Sequence, residues 1–95
     1  MGAEIAPSDV DALVESALDF PVPLVELEPD VYVLELFHGP TLAFKDVGAC
    51  FMASLLGYVR EEDEEALTVL VATSGDTGSA VADAFLDVAG VRTVV

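Results

Sequence analysis

The sequence predicts an α/β fold: a βαβ unit in the second half, preceded by an N-terminal helix and a β-hairpin. Three observations carry this prediction. Leu67-Thr68-Val69-Leu70-Val71-Ala72 is a short, almost wholly apolar run, as expected of a strand buried on both faces of a parallel sheet. A polar loop follows, Thr73-Ser74-Gly75-Asp76-Thr77-Gly78, and then Val81, Ala84, Phe85 and Val88 recur at helical spacing. Val91 to Val95 reads as another strand, so the order is strand, loop, helix, strand, with a right-handed crossover expected.

The elements before this unit are read from local chemistry. Ser8, followed by Asp9 and Asp11, looks like a capping residue with acids in the first helical turn. Val10, Leu13, Val14 and Leu18 continue at helical spacing, which predicts a helix over 8–18 that Pro21 and Pro23 end. Leu24 to Leu27 and Val31 to Phe37 are predicted strands, joined by the turn Glu28-Pro29-Asp30. His38-Gly39-Pro40-Thr41 breaks the pattern as a loop. A helix is expected from Phe44 to Arg60, with Phe51, Met52, Leu55, Leu56 and Val59 on its apolar face. The five acids from Glu61 to Glu65 read as a solvated link. The helix that starts after Gly78 is expected to close near Gly90.

Composition narrows the function. Eighteen acidic residues face three basic ones, Lys45, Arg60 and Arg92, for a formal charge of −15. Such a surface repels nucleic acid and anionic membranes, so neither is an expected partner. The acidity fits a plain solubilising surface or adaptation to high salt, and the sequence does not choose between them. No apolar run approaches the roughly 20 residues of a membrane span. The start, Met1-Gly2-Ala3-Glu4, lacks the basic and apolar regions of a signal peptide, and Ala6 stands where a myristoylation motif wants Ser or Thr. A cytoplasmic protein is expected. Cys50 is the one cysteine, and no His, Cys, Asp or Glu group has metal-ligand spacing, so no metal site is predicted. Oligomeric state is not legible.

Two segments could carry chemistry. Lys45, the one lysine of the chain, sits at an expected helix start. A helix N-terminus is a poor place for a cation, and a lysine acting as a neutral nucleophile gains from such a setting. A surface lysine paired with Asp46, or a snorkelling lysine at the core edge, is the competing account. Ser74-Gly75-Asp76-Thr77-Gly78 follows a strand and opens a helix, where open α/β sheets place ligands and where N–H groups favour an anion. The loop is neither a Walker A motif nor a Gly-x-Gly-x-x-Gly dinucleotide motif. Asp76 would repel an anion; it either caps the helix or carries a proton when ligand is bound. A plain turn with a polar cap is the competing reading. His38 is open between a loop residue satisfied by backbone and a catalytic one, and Cys50 is expected to be a small packing residue.

Leu34-Glu35-Leu36-Phe37-His38-Gly39-Pro40-Thr41-Leu42-Ala43-Phe44-Lys45-Asp46 resembles the lysine segment of threonine synthases, enzymes of the fold-type II pyridoxal-phosphate (PLP) family. Ala72-Thr73-Ser74-Gly75-Asp76-Thr77-Gly78 resembles their next motif, in the same order and at similar spacing. The resemblance is clear from Val31 onward and looser before it. Related cysteine synthases and serine/threonine dehydratases share the Phe-Lys core but usually carry Asn where this chain has Asp76.

The resemblance implies a partial fold-type II architecture with pyridoxal 5′-phosphate as cofactor. Lys45 would hold the cofactor covalently and then shuttle protons, and Asp76 would lie near its phenolic oxygen. Ser74, Gly75 and Thr77 would bind the α-carboxylate of a small amino-acid phosphate. The implied reaction turns O-phosphohomoserine and water into threonine and phosphate. Residues 1–40 would belong to an N-terminal region, and 41–95 would hold the cofactor-lysine helix and an incomplete βαβ unit. The rest of the enzyme, including its phosphate-gripping glycine loop, is expected beyond Val95, so these 95 residues are expected to fold poorly and to be inactive alone. A dehydratase, a β-replacement enzyme and a non-enzymatic acidic anion-binding module are the alternatives.

Overall fold

The structure, a computed structural model, describes residues 5–60, 65–73, 75–86 and 88–95. Ser74 and most of the acidic run, residues 61–64, lie outside the described residues. The order is α1 (Pro7–Ala17), β1 (Leu24–Glu28), β2 (Val31–Leu34), α2 (Lys45–Val59), β3 (Leu67–Leu70), α3 (Asp76–Ala84) and β4 (Val91–Val94).

The first helix begins one residue before its expected cap. Pro7 holds the first helical position and Ala6 is the extended N-cap, with no side-chain cap bond. Proline's fixed φ is already helical there, so Ser8 falls inside the first turn and does not cap. β1 and β2 pair antiparallel from Leu24↔Leu34 to Glu28↔Val31, with a bulge between Glu26 and Glu28. Asp30 turns the chain at φ 65°, a left-handed conformation that Asp tolerates. β2 stops at Leu34, short of the expected Phe37. The N–H of Glu35 donates to Pro23 O at 2.9 Å, and β1 offers no ladder beyond that proline.

The core lies elsewhere. α2 packs between α1 and α3. Its buried stripe is Asp46, Ala49 and Ala53, not the large apolar face the sequence suggests; Met52 and Val59 are exposed. Small residues let α2 approach α3, whose Ala80 and Val81 join Phe85 just past its end in the same cluster. Leu56, Val69, Val71 and Val91 pack around that cluster. On the outer flank of α2, the Tyr58 hydroxyl donates to Asp9 Oδ2 of α1 at 2.7 Å.

β3 and β4 pair in parallel, with Leu67↔Val91 through Leu70↔Val94 in register, as the βαβ reading requires. β3 is nevertheless not buried on both faces. Leu67 and Val69 are half-buried while Thr68 and Leu70 are exposed, because the described helices cover only one face of this sheet. The loop also ends early: Asp76, Thr77 and Gly78 already belong to α3. α3 in turn ends at Ala84, well before Gly90, where the N–H groups of Leu86 and Val88 bond carbonyls three residues back and tighten the chain. Gly78 is buried where α3 meets the strand ends. A Cβ there would lie 2.5 Å from Thr73 Cγ2 and 3.1 Å from Val95 Cγ1, so any larger residue would have to displace the Thr73 side chain. Among the described residues, no helix is long and apolar enough to cross a membrane.

Candidate active site

Lys45 occupies the first position of α2, preceded by Phe44. The side chain is exposed, and its Nζ stands 4.8 Å from the centroid of the Phe44 ring, a cation–π distance. It makes no ion pair with Asp46. Successive helical residues point about 100° apart, and Asp46 turns into the protein while Lys45 turns out.

A cleft of about 460 Å³ opens between the starts of α2 and α3. Leu36, Phe44, Ala49, Met52 and Ala80 give it apolar walls, and Lys45 and Thr77 are its polar members. The two resembling segments therefore meet in the same cleft, the first through Leu36, Phe44 and Lys45 and the second through Thr77. Gly75 and Asp76 do not line it, although both sit exposed at the adjoining start of α3. Gly75 is the N-cap, and Asp76 holds the first helical position without a side-chain cap bond, which removes the capping role. Of the first-turn N–H groups of α3, that of Gly78 donates to Gly75 O at 3.1 Å, and helix geometry leaves those of Asp76 and Thr77 for an external acceptor. Thr73 supports this turn: its Oγ1 accepts from the N–H of Gly75 at 3.2 Å.

The cleft is an almost wholly apolar slot, with Lys45 and Thr77 as its two polar residues and the start of α3 adjoining it. The volume lies in the range of small-molecule pockets. An anionic group finds no arginine there. Arg60 is spent on the carbonyl of Glu65 at 2.8 Å and Arg92 on Thr68 Oγ1 at 3.2 Å, and neither lines the cleft.

The other candidates fall away from it. His38 Nε2 meets Glu35 Oε1 at 2.7 Å, so a side-chain carboxylate, not backbone, satisfies it. With Cys50, Asp19 and Asp83 it lines a separate, larger cleft of about 710 Å³ that includes neither Lys45 nor Thr77. Burial, then the charges of Asp46, Asp83 and Asp19, push the Cys50 thiol above its ordinary range, which suits a packing residue and not a nucleophile. Among the described residues, no group of His, Cys, Asp or Glu is arranged to hold a metal ion.

Asp46 is the residue that sequence reasoning undervalued. It is fully buried, and both its carboxylate oxygens accept from Thr41: the N–H donates to Oδ2 at 2.9 Å and the hydroxyl to Oδ1 at 2.6 Å. The usable signal was a hydroxyl residue and an acid five positions apart across a helix start.

No family model matches the sequence. Over 92 residues, 97% of this chain, it is 50% identical to the threonine synthase of Haemophilus influenzae and covers 21% of that protein. The crystal structure of Escherichia coli threonine synthase matches the fold with a TM-score of 0.84 at 48% identity, over 97% of this chain and 21% of that one. The PLP-bound threonine synthase of Brucella melitensis matches with a TM-score of 0.84 at 41% identity, again over 97% of this chain and 21% of its own. The chain thus spans about a fifth of the length of the relatives it matches. Its helices and small sheets form a partial domain of the threonine synthase fold.

Proposed function

We propose, for a chain homologous to threonine synthases along its whole length, that it carries the cofactor-lysine segment of a PLP-dependent threonine synthase. The enzyme would act in the cytoplasm, on a small amino-acid phosphate, and convert O-phosphohomoserine and water to threonine and phosphate. One observation carries the reading. The chain's single lysine opens α2 at an apolar cleft that also receives Thr77 from the second resembling segment.

When bound, pyridoxal 5′-phosphate supplies the electron sink that stabilises negative charge at substrate carbons. Lys45 would anchor it through its exposed amine, and later take and return protons at those carbons. The Thr77 hydroxyl and the first N–H groups of α3 would orient the substrate carboxylate, with Gly75 and Ser74 as the further residues assigned to it. Asp76 would face the phenolic oxygen of the ring. The apolar walls would keep water from the reacting carbons. With neither arginine in the cleft, the phosphate end of the cofactor lacks a cationic partner here, so the 95 residues alone are expected to have no useful activity.

Two measurements test this. Incubation with pyridoxal phosphate, then borohydride reduction and peptide mass mapping, should mark Lys45, and Lys45→Ala should take no label there. A chimera in which this chain replaces the matching segment of the Escherichia coli enzyme should release phosphate from O-phosphohomoserine. A folded chimera that is silent would sink the assignment.

A further inference from the structure

We propose that Asp46 is a positioning residue: with Thr41 it clasps the loop from Gly39 to Phe44 and thereby fixes where Lys45 enters the cleft. The inference rests on the reading of Lys45 as the cofactor lysine. Its basis is a conflict between strain and exposure in that loop.

Leu42 has φ 65°, in the left-handed region that L side chains with a Cβ avoid. Such a conformation persists only where its surroundings over-determine it. The Leu42 side chain supplies no such force, being 72% exposed. Phe44 is 60% exposed and Lys45 is exposed as well, so packing of the large side chains does not hold this stretch; Ala43 is half-buried but small. What brackets it is hydrogen bonding. The N–H of Leu42 donates to Gly39 O at 3.1 Å, closing a turn through Pro40 and Thr41. Thr41 then gives both its donors to the two oxygens of Asp46, one residue past the lysine.

A fully buried carboxylate is costly unless its acceptors are filled. Here both are filled from a single residue, which makes the link directional as well as strong. Gly39 lies against the same carboxylate: a Cβ there would sit 2.6 Å from Asp46 Cβ and Oδ2. The loop is thus wrapped onto the acid with no room to shift inward. The N–H groups of Asp46 and Val47 close the first turn of α2 onto Ala43 O and Phe44 O, at 3.0 and 3.2 Å. Between the Thr41 clasp and this turn, the backbone path to Lys45 is fixed at both ends.

The test follows labelling of Lys45 by pyridoxal phosphate and borohydride, read by peptide mass mapping with the chain carried in the Escherichia coli chimera, with helix content by circular dichroism as the control for folding. Thr41→Val keeps the backbone bond and removes the hydroxyl; it should slow labelling about tenfold, the scale of one charge-assisted hydrogen bond, at unchanged helix content. Asp46→Asn should slow it at least as much. Thr41→Ser should restore the wild-type rate. Adding Leu42→Gly to Asp46→Asn should recover part of the rate, because glycine removes the strain that the clasp sustains. Equal labelling rates in the folded Thr41→Val and Asp46→Asn chains would overturn the proposal. So would unfolding of Thr41→Val, which would make the contact plainly structural. Amide exchange separates this proposal from the cofactor reading. If the wild-type chain takes no label, yet exchange at the Thr41 amide speeds up in Asp46→Asn, the clasp stands and the cofactor reading fails.

Discussion

The β1–β2 hairpin and the α2–α3 pair draw on similarly apolar sequence and meet opposite fates. In the hairpin Leu24, Leu27, Tyr32 and Leu34 are all more than half exposed, and among the described residues the two strands pack on no other element. In the helix pair the buried apolar positions are small, Ala49, Ala53, Gly78 and Ala80 beside Val81, and Phe85 just past α3 is the one large apolar side chain fully enclosed among the described residues. Hydrophobicity alone therefore does not decide burial. A side chain is buried when a second element comes close enough to cover it, and in this chain small residues let α3 come close to α2. The site follows the same division. Lys45 and Thr77 lie at the starts of the two packed helices, while the hairpin leads only into the loop that precedes Lys45.

The sharpest way to break this contrast is to empty the core. Phe85→Ala should cost about 3–5 kcal/mol, as for other buried phenylalanines. Marginal stabilities of small domains are about 5–15 kcal/mol, so the variant should lose most of its helical signal at low urea. A urea midpoint unchanged from wild type would show that α2 and α3 are held by something other than this cluster.

That core marks the limit of what was legible. Turn and helix-start chemistry is local, so Pro29-Asp30, the start of α2 and the parallel pairing of β3 with β4 could all be read from the residues. Burial is not local. Leu67 to Ala72 reads as a strand covered twice, yet Leu70 is 76% exposed because the described helices lie on one side only. The site divides in the same way. Lys45 and Thr77 could be named from their setting and resemblance. Asp46 could not, because its role depends on Thr41 folding back across a helix start, which the string of residues does not display.

A smaller effect, opposite in sign, sharpens the same boundary. Thr93 is half-buried on β4, and its buried hydroxyl oxygen has no hydrogen-bond partner among the described residues. Thr93→Val keeps the branched shape and removes the unpaired group, so it should stabilise the chain by about 1 kcal/mol. A urea midpoint that falls instead would mean that the hydroxyl is bonded in solution.

Cys50 offers a pH test on the packed side. Burial first, then nearby carboxylates, raise its thiol, so the folded chain holds this proton to higher pH than the unfolded chain does. The stabilising contribution is complete below the ordinary thiol range and is lost as pH rises through the raised value. Alkylation by iodoacetamide at mildly alkaline pH should therefore run slower in the folded chain than in urea. Equal rates would place Cys50 outside the packed region.

The smallest effect belongs to the hairpin. Leu27 is 70% exposed in β1 and lies in no described core cluster, so Leu27→Ser removes little buried surface. Substitutions at such positions usually change stability by less than about 0.5 kcal/mol. The urea midpoint of Leu27→Ser should coincide with wild type in dilute solution, whereas Phe85→Ala collapses. A loss above about 1 kcal/mol would place Leu27 in the range of buried side chains. The hairpin would then be covered in solution, and the contrast between the two regions would reflect which neighbours are present, not how each is built. Repeating the measurement across protein concentrations separates the cases: a cost that grows with concentration identifies a second copy as the cover, and one that does not places the cover within the chain.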